Sequence, residues 1–241
     1  MPPTLEWSDA LGRMTRTERV EEQGILTWDL VRTAILEGKP DEAIDWIRYI
    51  QQGEGGVKSR SAGHAVQAQL NYIAERWGEE HVEASLRYWR RKLIDAGNEP
   101  TYAMSPLDRL RFHTEMERGD TVGVKDVQVS EEPDRYVLSA ERCAGCAVLR
   151  RVPATGTPAH GETKKPHLWS WGRAGVPYFT AHQCLWWEVM AIEDIGYPVR
   201  IHEWSDDPST PCRIFFYKNP ALIPDEYFER VGAKKDPTRF S

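Results

Sequence analysis

The hydrophobic pattern of this chain changes its period near residue 122, and this change most constrains the fold. Before it, apolar residues recur every three to four positions, as they do on amphipathic helices. After it, short runs of β-branched and aromatic residues, such as Val122–Val129 and Tyr136–Leu138, are typical of strands. We therefore predict an α+β fold. A helical N-terminal lobe (residues 1–121) precedes a second part (residues 122–241) in which an antiparallel sheet packs on a buried helix.

The lobe contains amphipathic segments at about residues 25–35, 43–50, 65–77 and 81–93. The first ends before Gly38-Lys39-Pro40, because a Gly followed by a Pro is a typical helix stop. Asp41 is placed as an N-cap for the second segment. We expect all of these segments to be helices that form one compact unit with the rest of the chain.

The buried helix is predicted from Thr180 to about Ile195. Its first residues, Thr180-Ala181-His182-Gln183, have the form of a capping box with Thr180 as the N-cap. Apolar residues nearly encircle the segment, so most of its surface should be covered. The residues that follow predict an antiparallel hairpin with strands at 199–204 and 213–217. The tail from Asn219 to Ser241 is expected to wrap the surface.

Composition and charge exclude several classes of protein. A formal net charge of −6 argues against a nucleic-acid binder, because the phosphate backbone requires a concentrated basic face. The sequence shows neither a signal peptide nor the roughly 20 apolar residues of a membrane helix, so we expect a cytosolic protein. Gly-rich phosphate loops and dinucleotide fingerprints are also absent, and no nucleotide cofactor is expected. A homodimer is compatible with the sequence.

The four cysteines are candidate metal ligands. Cys143 and Cys146 have the spacing of a zinc knuckle, but the chain offers neither a second such pair nor the His pair that usually completes the site. Cys184 lies on the predicted buried helix, and Cys212 lies at the returning edge of the hairpin. Zinc or another divalent transition metal bound by these thiols is one interpretation. Buried cysteines that only pack are the other.

Cys184 is also the candidate nucleophile. If Thr180 caps the helix, Cys184 falls in the first turn, where the helix dipole favours thiolate over thiol. His182 and Glu188 are the candidate proton carriers. His182 points away from Cys184 on a regular helix, whereas Glu188 shares its face one turn later. The alternatives are that Cys184 is a small core residue and Glu188 is a solvated helix edge.

Aromatic side chains are dense in the same part of the chain. His167 stands on a loop next to Trp169 and Trp171, a composition that suits a lid over a flat ligand. Together with Trp187 of the buried helix, these residues are the candidate substrate-binding groups. They could equally be tryptophans that close the core beside a chance histidine.

The order of these motifs resembles that of the L-2-amino-thiazoline-4-carboxylic acid hydrolase family over roughly residues 130 to 218. The resemblance rests on a strand followed by Cys143, a Gly-x-Pro start of a helix that carries Cys184, and a final strand that begins with Cys212. Cys146 and His182 have no counterpart in the pattern. The acidic residue expected soon after the helix cysteine is replaced by Trp187-Glu188, and the tryptophan-rich insertion at 160–171 is additional. The chain is more distantly similar to vinyl-4-reductase-type sensor domains.

The family resemblance implies a small-molecule α+β fold and hydrolytic opening of a C–N bond in a small heterocycle. Our leading hypothesis is therefore a hydrolase of a small aromatic or heterocyclic compound, acting through a cysteine nucleophile or through a metal bound by Cys and His. The alternative is a non-catalytic domain of the vinyl-4-reductase type that binds or senses a small molecule. An accessory protein of a degradation pathway is a third interpretation.

Overall fold

The computed structural model describes residues 4–10, 13–50, 60–97, 100–119, 127–140, 161–205, 207 and 210–240. The chain starts with a small antiparallel hairpin that the sequence patterns did not predict, β1 (Leu5–Ser8) with β2 (Arg13–Arg16). The lobe then continues with the helices α1 (Thr27–Leu36), α2 (Pro40–Tyr49), α3 (Arg60–Trp77), α4 (Glu79–Gly97) and α5 (Pro106–Gly119). The first four coincide with the predicted helical segments, and the helical N-terminal lobe is confirmed.

The first two helices pack on each other around a small core of their own. Val31 and Ala34 of α1 meet Trp46 and Tyr49 of α2 at three- to four-residue spacings, as amphipathic helices require. Glu115 connects α2 and strand β2 to α5. Its Oε1 accepts hydrogen bonds from the hydroxyls of Thr15 (2.6 Å) and Tyr49 (2.5 Å).

The second part contains a four-stranded antiparallel sheet in the order β3-β4-β6-β5. Its strands are β3 (Gln128–Glu131), β4 (Arg135–Ala140), β5 (Ile201–Glu203) and β6 (Cys212–Tyr217). The β5–β6 pair is the hairpin predicted from the sequence, with Ile201 opposite Phe215. Most of the first predicted strand, residues 122–126, lies outside the described residues. The α+β fold class is confirmed.

Both faces of the sheet are covered. Ile214 and Phe216 of β6 face a cluster that includes Leu110 of α5. The alternate residues Phe215 and Tyr217 face the largest core cluster, which is built around the buried helix. Because both faces are buried, β6 is a nearly continuous apolar run rather than an alternating one.

The buried helix consists of α6 (Tyr178–Cys184), a π turn (Leu185–Val189) and α7 (Met190–Ile195). The predicted start of this helix is wrong, because Pro177 is the N-cap and Thr180 lies inside the first turn. The first N–H groups bind distant acceptors instead of a local cap. Tyr178 N–H donates to the Gly161 carbonyl (3.2 Å) and Phe179 N–H donates to Gln67 Oε1 (2.8 Å).

Two polar residues of the helical lobe hold the segment that precedes the buried helix. Gln67 of α3 also donates to the Gly161 carbonyl (2.8 Å). Glu79 at the start of α4 accepts from Lys164 N–H (2.7 Å), Tyr178 Oη (3.0 Å) and His167 Nε2 (2.9 Å). Burial alone would raise the pKa of Glu79, but these donors outweigh it and the pKa is lowered. The lobe therefore fixes where the buried helix begins.

The C-terminal segment is more than a surface wrapping, and the prediction made for it is wrong in that respect. Its short helix α8 (Glu226–Glu229) places Tyr227 and Phe228 in the largest core cluster, together with Val231. Lys235 Nζ donates to the carbonyls of Ala221 and Ile223 and closes the segment on itself. Within the described residues, none of the helices has the length and hydrophobicity needed to cross a lipid bilayer.

Candidate functional site

Three segments that are far apart in the chain border a cleft of about 440 Å³. They are the turn that carries Trp171 and Arg173, the described residues 202–205, 210, 211 and 213 at the facing ends of β5 and β6, and the C-terminal segment. The side chains that decide its chemistry are Trp171, Arg173, His202, Trp204, Arg213 and Arg230. The cleft therefore combines aromatic faces with guanidinium groups.

Glu188 of the π turn is fully buried and binds three of the groups that border the cleft. Its Oε1 accepts hydrogen bonds from Trp171 Nε1 (2.9 Å), from His202 N–H (3.1 Å) and from Arg230 Nη2 (2.7 Å). Its Oε2 accepts from Nε (3.0 Å) and Nη2 (2.6 Å) of the same Arg230. This bidentate, charge-assisted contact fixes the plane of the guanidinium. Glu188 thus positions Arg230, and its role as a proton carrier stays a prediction.

Arg230 keeps donor capacity after this pairing. Its Nη2 also donates to the His202 carbonyl (3.3 Å), whereas within the described part of the chain no hydrogen bond involves its Nη1. The side chain is 24% exposed and lines the cleft. Burial would lower the pKa of Arg230, but the charge of Glu188 and its hydrogen bonds raise it, so the guanidinium stays charged.

Trp171 adopts a strained backbone conformation at the edge of the cleft. Its φ of 55° is in the left-handed region, which a bulky residue rarely adopts. The hydrogen bond from its indole to Glu188 and the burial of its ring hold it there. Strain of this kind costs about 1–3 kcal/mol and is concentrated at functional sites in proteins.

Cys184 lies next to this site but does not have the environment predicted for a nucleophile. It is the last residue of α6 rather than part of its first turn, and it is fully buried. Its Sγ donates to the Leu168 carbonyl (3.4 Å). Burial raises the pKa of the thiol well above 9.0, and the charge of Glu188 adds to this. The thiol is therefore protonated at neutral pH.

We expect the thiols of Cys184 and Cys212 to resist labelling in the folded protein. In a variant with Cys143→Ser and Cys146→Ser, an aromatic disulfide reagent at pH 8 should react fully only after unfolding in urea. The physical reason is that the thiolate is the reacting species and both thiols are buried. A thiol that reacts quickly in the folded variant would contradict the burial of these two cysteines. The raised pKa of Cys184 also makes stability depend on pH. Because folding raises the pKa of this thiol, the stability that its protonated form contributes is fully present below pH 9.0. That contribution is lost as the pH rises towards the pKa of the folded state.

His182 is not among the residues that line the cleft. Its Nδ1 contacts the Phe179 carbonyl, and its Nε2 lies 2.7 Å from the side-chain amide of Gln183. The ring stacks on Phe179 and meets Trp186 edge-on. The expected divergence of His182 and Cys184 on the helix is thus observed, and His182 does not join Glu188.

The predicted substrate-binding aromatics divide among different places. Trp171 lines the cleft, while His167 and Trp169 stack on each other and line a second cavity of about 460 Å³. Trp187 lies in the interior, where the guanidinium of Arg90 lies 4.3 Å from its ring centroid. The structure therefore brings only Trp171 of this group to the site that contains Glu188.

The two predicted metal ligands that the structure describes, Cys184 and Cys212, do not meet. Cys184 belongs to the largest core cluster, whereas Cys212 faces the opposite side of the sheet together with Leu110 and Ile214. Cys143 and Cys146 lie outside the described residues. Among the side chains that can be described, no group of three or more His, Cys, Asp or Glu is arranged to hold a metal ion. A metal bound by Cys and His therefore stays a prediction.

Sequence reasoning missed Arg230, the main cation of the site. The signal for it is weak, because Tyr227 and Phe228 form only a short apolar pair in a charged tail.

Comparison of the chain with family models, with curated proteins and with solved structures gives no match.

Proposed function

We propose that this protein binds a small organic anion in the cleft bordered by Trp171, Trp204 and Arg230. The proposal depends on how the guanidinium of Arg230 is held at the cleft. Glu188 fixes its guanidinium through Nε and Nη2, while no described residue forms a hydrogen bond with Nη1, on a side chain that lines the cleft. A preorganised guanidinium with spare N–H groups is a typical carboxylate receptor.

The charges around the cleft support an anionic ligand. The described residues there bring the guanidinium groups of Arg173, Arg213 and Arg230 against the carboxylates of Glu188 and Glu203. Pairing removes much of this charge, since Arg213 lies 3.2 Å from Glu203 and Arg230 lies 2.6 Å from Glu188. Among the described residues that line the cleft, three are arginines and one, Glu203, is acidic, and this composition favours an anion.

Binding without catalysis is the function that this geometry supports best. Hydrolysis of a C–N bond through Cys184 would need a thiolate, and the thiol is buried with a raised pKa. Both oxygens of Glu188 accept several hydrogen bonds, which disfavours its use as a base. The hydrolase assignment stays a prediction, as does a cytosolic location. Incubation of the protein with small heterocyclic acids that contain a C–N bond, followed by product analysis, would reveal turnover.

The role of Arg230 can be tested by replacing it with Lys. Binding of benzoate and cyclohexanecarboxylate is measured by calorimetry for the wild type and for Arg230→Lys. We expect affinity for both acids to fall at least about tenfold, because one ammonium cannot pair with Glu188 and also present a second planar N–H group. Arg239→Lys is the matched control, since Arg239 donates to the Glu193 carbonyl away from the cleft, and it should bind as the wild type does.

Two results would contradict the proposal. One is that neither acid binds the wild-type protein at millimolar concentration. The other is that Arg230→Lys, folded as judged by its melting temperature, binds both acids with unchanged affinity.

A further inference from the structure

We infer that the second cavity, which His167 and Trp169 line, binds a small primary ammonium ion with an apolar body. The cavity has a volume of about 460 Å³ and shares no described lining residue with the cleft. Its volume lies in the usual range of small-molecule sites. The inference is therefore independent of the proposed anion site and concerns a different class of ligand.

The apolar part of the second cavity consists mainly of buried side chains. Trp169, Ile192 and Val231 line it, and none of them is more than 7% exposed. Leu168 lines the same cavity and is 57% exposed, a large fraction for a leucine. An apolar ligand removes these surfaces from water, and this burial favours its binding.

Gly232 lets the exposed leucine pack directly on the C-terminal segment. Its φ of 75° is in the left-handed region, which favours glycine. A Cβ atom at this position would lie 2.8 Å from Leu168 Cδ1, well inside the usual carbon–carbon contact of about 3.5–4.0 Å. The turn and the C-terminal segment therefore meet closely where they border the cavity.

Two carboxylates flank one guanidinium at the second cavity. Arg87 Nε donates to Glu83 Oε1 (2.9 Å), while its Nη1 and Nη2 donate to Glu193 Oε2 (2.8 Å) and Oε1 (3.0 Å). All three residues line the cavity. Their side chains are between 30 and 46% exposed, so a ligand can reach them. One positive charge is thus set against two negative charges.

Neighbouring charges do not reverse this acidic character. His167 Nε2 lies 2.9 Å from Glu79, which brings a further carboxylate. Arg239 brings a further cation, but it donates to the backbone carbonyl of Glu193 (3.1 Å). A primary ammonium group has three N–H donors on a compact positive charge, and it complements carboxylates that keep unused lone pairs.

Cyclohexylammonium and cyclohexanol test this inference, because they share a ring and differ in the charge of the polar group. Calorimetry at neutral pH measures the affinity of each. We expect the wild type to bind the ammonium ion about fivefold more tightly than the alcohol, since the carboxylates are partly exposed. Glu193→Gln should reduce this preference to about twofold or less, while affecting the alcohol little.

Glu131→Gln is the matched control for the charge. Glu131 is 44% exposed and pairs with Lys218 (2.6 Å) on β3, and it does not line the second cavity, so the preference should equal that of the wild type. Ala233→Leu tests the location, because Ala233 lines the cavity and a larger side chain fills part of it. It should weaken the binding of both molecules at least about threefold.

Four results would overturn the inference. The wild type fails to bind cyclohexylammonium at about 10 mM, or it binds the ammonium ion and the alcohol equally well. Glu193→Gln keeps the full preference, or Ala233→Leu, folded as judged by its melting temperature, binds both molecules as the wild type does. Arg230→Lys should bind the ammonium ion with unchanged affinity, so a failure of the anion site would leave this second site in place.

Discussion

Replacement of Arg230 by Met is expected to lower the free energy of unfolding by about 3–5 kcal/mol. Methionine keeps most of the aliphatic packing of arginine, so the loss comes from the charge. Glu188 is fully buried and would keep its two neutral donors, Trp171 Nε1 and His202 N–H, but no counter-ion. A buried carboxylate without a cation is among the costliest defects that a single substitution makes. Urea denaturation monitored by tryptophan fluorescence measures the difference.

The reverse substitution, Glu188→Gln, should cost less than Arg230→Met. Arg230 keeps 24% of its side chain exposed and can recruit water, whereas Glu188 has no exposed surface. The glutamine oxygen can still accept from Trp171 and His202. The double variant should therefore be more stable than Arg230→Met alone, because no charge is buried without a partner. A larger loss for Glu188→Gln than for Arg230→Met would contradict this asymmetry.

The site depends on parts of the chain that are joined only by folding. The carboxylate of Glu188 comes from the π turn and the guanidinium of Arg230 from the segment after α8, 42 positions later. Three successive side chains of the π turn contact three different neighbours. Trp186 donates to the Leu86 carbonyl, Trp187 packs on Arg90, and Glu188 accepts from Trp171 beside the cleft. Single π turns of this kind are frequent at functional sites.

Local sequence patterns predicted the secondary structure where one periodicity dominates. The segments that became α3 and α4 have a clear amphipathic period, and the β5–β6 hairpin has two apolar runs around a polar connection. The N-cap predicted at Thr180 is wrong because residues from other parts of the fold, rather than a local side chain, bind the first N–H groups of the helix. Gln67 and Gly161 satisfy the first N–H groups of α6, and neither residue is near the helix in sequence. A contact over 112 positions leaves no local signal.

The chemistry was harder to predict than the fold. Cys184 was correctly placed on a buried helix, but its reactivity depends on whether burial or the helix dipole dominates. Burial dominates here, because the residue ends α6 instead of beginning it. Glu188 was predicted as a proton carrier or as a solvated helix edge, and neither interpretation included a buried ion pair. Its partner Arg230 could not be chosen from the sequence, because the chain contains many arginines and only the tertiary fold selects one.

The second large effect is expected from Phe228→Ala, which should lower the free energy of unfolding by about 3–5 kcal/mol. Phe228 is fully buried in the largest core cluster and stacks on Phe240 with centroids 6.4 Å apart. Its removal leaves a cavity beneath the segment that carries Arg230, and neighbouring helices cannot close around it fully. Urea denaturation of the variant provides the measurement.

Leu222→Ala is the matched control, because Leu222 lies in the same C-terminal segment and is 51% exposed. It should change the free energy of unfolding by no more than about 0.5 kcal/mol. Similar small losses for both variants would mean that the segment only rests on the surface, as the sequence suggested. In that case Arg230 would not be held rigidly enough to act as a preorganised receptor. A large loss for Phe228→Ala alone would instead show that the core itself anchors the guanidinium at the cleft.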